Sequence, residues 1–290
     1  MGADLICGAF ILFASRVLLA HDRFGRMSRV ELAFACLRLM AALAFTLSGG
    51  DLAQDWAIFY FGVSVLAAIH AFIVIGGSRA IKTKPTWPDR AFKDGFVLSS
   101  GSTAQMARRN IDRPIALAVL GPEAAGLFGA AARFVEAALI PIFSFSKVIH
   151  RRFFSAGADG AAYAFMLRML PFVLALGGAA ALGLAVLSFL LEALLGPEYE
   201  GASRILLLMV LVPLANALSA LAGDGLVTSG RQNLRLYIDL GALALKLGAC
   251  ALGAEVAGLY GLVSAVVIVD LALAATYWFA ASVLVRGGHR

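Results

Sequence analysis

Apolar stretches of about 20 residues recur down the whole chain, and they leave few choices of fold. The clearest, residues 56–76, reads WAIFYFGVSVLAAIHAFIVIG; a second runs over 259–285. A helix needs about 20 such residues to cross the hydrocarbon of a bilayer. Inside lipid every backbone N–H and C=O must be bonded internally, which selects helices over loops and open sheets. The short alternating segments of a membrane β-barrel are absent. Charged residues make up 14% of the 290 residues, against about 25% in soluble domains. The sequence therefore predicts an all-α integral membrane protein.

Nine spans are predicted, over 5–20, 30–47, 56–76, 96–120, 127–146, 169–191, 203–228, 236–252 and 259–285. The fourth is the least regular, because TAQMARRNIDR interrupts it. The charges between spans support it. Arg23, Arg26 and Arg29 fall in one loop, and Arg79, Lys82, Lys84, Arg90 and Lys93 in another. Lys147, Arg151, Arg152 and Arg168, then Arg231 and Arg235, then Arg286 and Arg290 follow in every second loop. The alternating loops 1–4, 48–55, 121–126, 192–202 and 253–258 hold no Lys or Arg and carry Asp51, Asp55, Glu123, Glu192, Glu198, Glu200 and Glu255 instead. Basic loops stay in the cytoplasm. Removing any one interior span would put them on both sides, so the pattern predicts nine spans in the cytoplasmic (inner) membrane, with the C-terminus inside. Residues 1–20 lack the basic start of a secretory signal.

The net charge of +6 does not point to nucleic acid, because it is spread over these short loops. Cys7, Cys36 and Cys250 sit in apolar runs with neither disulfide nor zinc spacing. His21, His70, His150 and His289 are scattered. No HExxH, nucleophile elbow or phosphate-binding loop occurs, so neither an enzyme nor a cofactor or metal is predicted.

A short motif recurs at outer loops. GPEAAGLFGAA (121–131) resembles GAEVAGLYGLV (253–263), and GPEYEGA (196–202) is a weaker copy. It reads either as helix punctuation by Gly and Pro or as a mark of repeated helix pairs. Residues 77–95, GSRAIKTKPTWPDRAFKDG, form the one long polar linker, dividing a three-span lobe (1–76) from six spans (96–290).

Charges inside spans are costly, about 2.5–3.5 kcal/mol each at mid-helix. Ser102, Gln105, Arg109 and Arg113 share one helical stripe, with Arg108 and Asp112 beside it at a spacing that can pair. Arg109 and Arg113 then exceed the local acids. Arg133 and Glu136 add a pair in the next span. The set is either a salt-bridge network that holds helices together or a cationic cavity for an anionic group, which the planar fork of arginine suits. Arg16, Arg38, Asp224, Asp239, Lys246 and Asp270 are further intramembrane charges. Asp239 and Lys246 share a face and can pair. Asp224 and Arg38 are placed to snorkel toward span ends. Asp270, without a base nearby in sequence, is either a helix-packing contact or a proton or sodium site.

NIDRPIALAVLGPEAAGLFGAAARFVEAALIP (110–141) resembles the seventh and eighth helices of polysaccharide flippases of the MOP exporter superfamily. Asn110, Asp112, Gly121, Glu123, Gly126, Phe128, Ala131 and Ala132 fill the places of that pattern. LLGPEYEGASRILLLM (194–209) is similar to the loop and start of the tenth helix, and GAEVAGLYG (253–261) to the entry of the twelfth. The resemblance implies two six-helix lobes, of which 96–290 would be the complete C-terminal one and 1–76 the last three helices of an N-terminally truncated partner. It further implies flipping of a polyprenyl-pyrophosphate-linked oligosaccharide by alternating access, with membrane lipids and polysaccharide assembly proteins as the other partners. Arg109, Arg113 and Arg133 would then touch the head group, tuned by Arg108, Asp112 and Glu136, with Asp270 as ion-coupling candidate. A drug or small-solute exporter of the same superfamily is the alternative, then a non-transporting fragment; a polysaccharide polymerase is remote, since no loop exceeds about 20 residues. The orientation is directly testable. A reporter active only in the cytoplasm, fused after Arg290, should be active, and the same reporter fused after Glu123 should be silent; the reverse pattern would overturn it.

Overall fold

The computed structural model describes residues 2–20, 23–48, 53–76, 89–155, 161–196 and 201–284. Every regular element among them is helical. The chain divides into two compact units, Met1–Trp87 and Pro88–Arg290.

Unit 1 contains α1 (Gly2–Ala20), α2 (Phe24–Leu47) and α3 (Ala53–Ile75). Its core is narrow: Ile11, Ala14 and Leu18 of α1 meet Val30 of α2 and Ala67 and Ala71 of α3. Lipid gives helices no hydrophobic reason to associate, so small residues that admit close backbone approach do the work. The buried alanines, together with buried Ser15 and Ser64, are such residues. The Ser64 hydroxyl donates to the Tyr60 carbonyl of its own helix.

Unit 2 contains α4 (Asp89–Asn110), α5 (Asp112–Ile115), a π turn (Ala116–Leu120), α6 (Gly121–Ser155), α7 (Ala161–Leu195), α8 (Ala202–Leu208), a 3-10 turn (Met209–Leu211), α9 (Val212–Thr228) and α10 (Gln232–Leu284). Helix α9 is the hub. Its residues from Leu221 to Leu226 are all buried, and α6, α7 and α10 pack around it. Glycine makes two of these contacts possible. A Cβ on Gly177 of α7 would lie 2.9 Å from the Leu214 side chain, and one on Gly225 of α9 would run into Met166.

Six helical stretches are long and apolar enough to cross a membrane, and Ile6–Leu18 is a shorter seventh. Two of the six, Ser99–Ile149 and Gln232–Val283, have 51 and 52 residues. That is more than double the length one crossing needs. Each reverses to a non-helical backbone at one point, Gly121 (φ 86°) in the first and Ala257–Gly258 (φ −132° and 59°) in the second. Divided there, the described residues hold nine apolar helical segments, as the loop charges require. The fourth begins earlier than expected, because α4 starts at Asp89 rather than 96. The expected linker is shortened accordingly; its residues 77–88 lie outside the described residues.

The recurring glycine motif resolves into punctuation. Its first copy turns at the first glycine (Gly121), its third at the sixth position (Gly258), and GPEYEGA at both (Gly196 and Gly201), each with positive φ. Only glycine enters that region without steric cost. The copies break the chain at different registers, so they are not equivalent repeat units. At the third copy the two halves of α10 nearly touch: a Cβ on Gly253 would lie 2.5 Å from the Gly261 carbonyl oxygen. Gly261→Ala should therefore destabilise the purified protein by about 1–3 kcal/mol, the usual cost of overpacking. Gly241→Ala, where the space is open, should not. Thermal unfolding in detergent compares the two; equal midpoints would show that the kink is not tightly packed.

Candidate functional site

The charged residues of unit 2 gather where α4 gives way to α5. Pro114 has no N–H to offer the carbonyl four residues back, so the helix is interrupted at Ile111. Asn110 turns its side-chain amide to the Met106 carbonyl, 2.8 Å away, and the Asp112 carboxylate accepts the Arg113 N–H at 3.0 Å. A π turn follows, a geometry frequent at functional sites.

Two buried ion pairs tie this segment to α10. Arg108 Nη1 lies 2.6 Å from Asp270 Oδ1, and Lys246 Nζ 3.1 Å from Asp112 Oδ2. Arg108 and Lys246 are each 2% exposed. Asn216 of α9 donates to the second Asp270 oxygen at 3.4 Å and to the Val212 carbonyl at 3.0 Å. Nearer the α9–α10 turn, Arg235 reaches Asp224 at 3.4 Å and, more loosely, Asp239 at 3.9 Å. Tyr277, on the far half of α10, lies beside Asp239. Removing one member of such a buried pair costs about 3–5 kcal/mol, because it strands the other charge.

Several sequence expectations change here. Arg108 and Asp112 do not pair. An i,i+4 contact on a helix surface is worth about 0.3–0.5 kcal/mol, and each residue has a desolvated cross-helix partner instead. Asp239 and Lys246 do not pair either. Seven residues span about 10.5 Å of helix, too far for direct contact, so Lys246 turns to Asp112 and Asp239 to Arg235. Asp270 has the geometry of the packing contact, with both oxygens engaged. Asp224 does not snorkel; it is buried and pairs with Arg235. Arg38 of unit 1 does not snorkel either; its guanidinium is held by Phe34 and Tyr60. Asn216 was missed, although it is the one amide in its apolar run, whereas Phe143 and Tyr277 carry no signal in sequence.

A second group lies on the exposed side of α4–α6. Arg113 Nη2 is 2.6 Å from Glu136 Oε1, with the two side chains 37% and 52% exposed. Glu136 thus pairs across helices and not with Arg133. Arg133 is exposed and makes no ion pair among the described residues. Arg109, half-buried at the edge of this group, stacks over the Phe143 ring at 4.2 Å and likewise lacks an ion pair among them. Of the predicted stripe, Ser102 is exposed and Gln105 half-buried.

No family profile matches this sequence, and no curated protein does. Crystal structures do. A point mutant of the Vibrio cholerae MATE transporter VcmN superposes with a TM-score of 0.75 at 20% identity, over 99% of this chain and 68% of that one. The bent form of the same transporter gives 0.70 at 20% identity, over 98% and 68%. The chain therefore has the fold of a MATE transporter.

The two groups should respond differently to mutation. Arg108→Ala is expected to destabilise unit 2 by about 3–5 kcal/mol. Removing both partners, Arg108→Met with Asp270→Leu, should recover most of the loss. Arg113→Ala should cost no more than about 1 kcal/mol. A thermal-unfolding double-mutant cycle checks this; additive effects of the Arg108 and Asp270 changes would refute a direct pair.

Proposed function

We propose that this multi-pass membrane protein is a transporter of the MOP superfamily that carries a polar or amphipathic solute across the membrane along the α4–α6 face. The observation that supports it most is the exposed Arg113–Glu136 pair with Arg133 beside it, which makes no ion pair among the described residues. Arg133 and Glu136 lie 12 and 15 residues beyond Gly121, about 18 and 22 Å along α6 at 1.5 Å per residue. The hydrocarbon is only about 30 Å thick. Charges at that depth are tolerated where they face water or a polar partner, not lipid. A water-lined face at mid-membrane is what a solute path requires.

Export of a small solute is the first reading, since the crystal structures that superpose on this chain belong to a MATE transporter. Flipping of a lipid-linked oligosaccharide is the second. It is favoured by charge: Arg113 and Arg133 share one neighbouring acid, Glu136, and Arg109 adds a third guanidinium, half-buried over Phe143. Such a face suits a pyrophosphate-bearing head group. Under both readings the C-terminus is cytoplasmic and the solute moves outward from the cytoplasmic membrane.

The readings separate in a deletion strain and in an efflux-deficient host. Accumulation of lipid-linked oligosaccharide on deletion supports flipping. Lowered retention of ethidium on expression supports small-solute export. In either assay, Arg109→Ala with Arg113→Ala should abolish transport while the protein stays folded and in the membrane. Unimpaired transport by that variant would overturn the assignment of this face.

A further inference from the structure

Unit 1 holds a cation near mid-membrane that the α4–α6 face does not account for. Arg38 lies 14 residues after Phe24 and nine before Leu47, about 21 and 14 Å along α2. At that depth a lipid headgroup is out of reach. The side chain is exposed, yet it is held in place. Its guanidinium sits 4.1 Å from the centre of the Phe34 ring and 4.8 Å from that of Tyr60, and it donates to the Tyr60 hydroxyl. Tyr60 is supported in turn by Trp56, with ring centres 5.9 Å apart. Among the described residues Arg38 makes no ion pair.

We propose that Arg38, bracketed by Phe34 and Tyr60, is an oxyanion subsite on unit 1 that takes a phosphate or carboxylate group. A guanidinium carries five N–H donors in a rigid fork. One edge is committed to the Tyr60 hydroxyl, and the two ring faces satisfy the charge only in part. The remaining donors need an acceptor that carries negative charge, and none of the described carboxylates of unit 1 supplies it. The rings fix the fork before a ligand arrives, so little side-chain freedom is lost on binding. The planar fork matches two oxygens of one phosphate or carboxylate, which a lysine at this position would not.

The test uses the full chain in nanodiscs of zwitterionic lipid, titrated with inorganic phosphate and with glucose 1-phosphate. The readout is tryptophan fluorescence, to which Trp56 contributes from beside Tyr60. A saturable change is expected in the parent. Arg38→Ala should weaken it by about tenfold or more, the scale of losing a charged hydrogen-bond partner. Arg38→Lys should fall between. Tyr60→Phe keeps the ring and releases the fork, so it should weaken binding several-fold while helicity is unchanged. It serves as the second variant if Arg38→Ala fails to fold. No saturable change in the parent, or the same affinity in folded Arg38→Ala, would overturn the subsite. So would a response seen only after phosphatidylglycerol is added, since that assigns Arg38 to lipid. Phosphate binding by a protein that moves nothing in the transport assays would instead sink the transporter reading and leave the subsite standing.

Discussion

A charge buried in a protein that is itself dissolved in lipid must find its counter-charge within the fold, and unit 2 is organised around that requirement. Desolvating an ion costs several kcal/mol even after relaxation. Arg108 and Lys246 recover it through Asp270 and Asp112, and both contacts cross between helices far apart in sequence. The sequence separation of 162 from Arg108 to Asp270 makes that pair a long-range constraint on which helices can be neighbours. Helix–helix contact in lipid has little hydrophobic driving force to specify register. The pairs between α4–α5 and the two halves of α10 supply such specificity here.

How much of this was legible in sequence follows from the range of each signal. The spans were legible because crossing length and loop charge are local, and the basic loops recur with a period that leaves no helix optional. The Gly121 and Gly258 breaks were legible for the same reason: a turn between two apolar runs needs a residue that accepts positive φ. The pairings were not. Sequence spacing offers only neighbours on one helix, so Arg108 was matched to Asp112 and Asp239 to Lys246. Asp112 instead serves Lys246 of α10, a contact between helices that spacing cannot offer, and Asp239 serves Arg235 one turn back on its own helix, because Lys246 lies two turns away. The start of α4 was missed for a related reason. The polar residues from Asp89 onward lack the apolar signature of a span, yet they continue its helix beyond the hydrocarbon.

The same bookkeeping separates structural charges from available ones. In the interior, Asp112, Asp224, Asp239 and Asp270 each have a basic neighbour on another turn or helix, and Asp112 and Asp270 use both oxygens. The surplus expected at Arg109 and Arg113 is therefore met only in part, since Arg113 has an acid partner and Arg109 has none among the described residues. Arg109 leans on a ring, Arg113 shares Glu136 in the open, and Arg133 has no ion pair among the described residues. A charge already desolvated and paired must lose its partner before it can bind anything, whereas an exposed one need only exchange water.

Arg38 of unit 1 belongs with this second set for the same reason. Aromatic faces hold a guanidinium in place without neutralising it, because a ring quadrupole is a weaker acceptor than a carboxylate. A side chain kept rigid, exposed and still cationic costs the fold something at mid-span and returns no cross-helix ion pair. A wholly structural role would be met better by a leucine, which packs against Phe34 and Tyr60 without a charge to solvate. A structural arginine, by contrast, would be expected to look like Arg108, with a carboxylate within 3 Å and almost no exposed surface. The contrast between these two arginines, one on each unit, is the physical ground for assigning one to architecture and the other to a ligand.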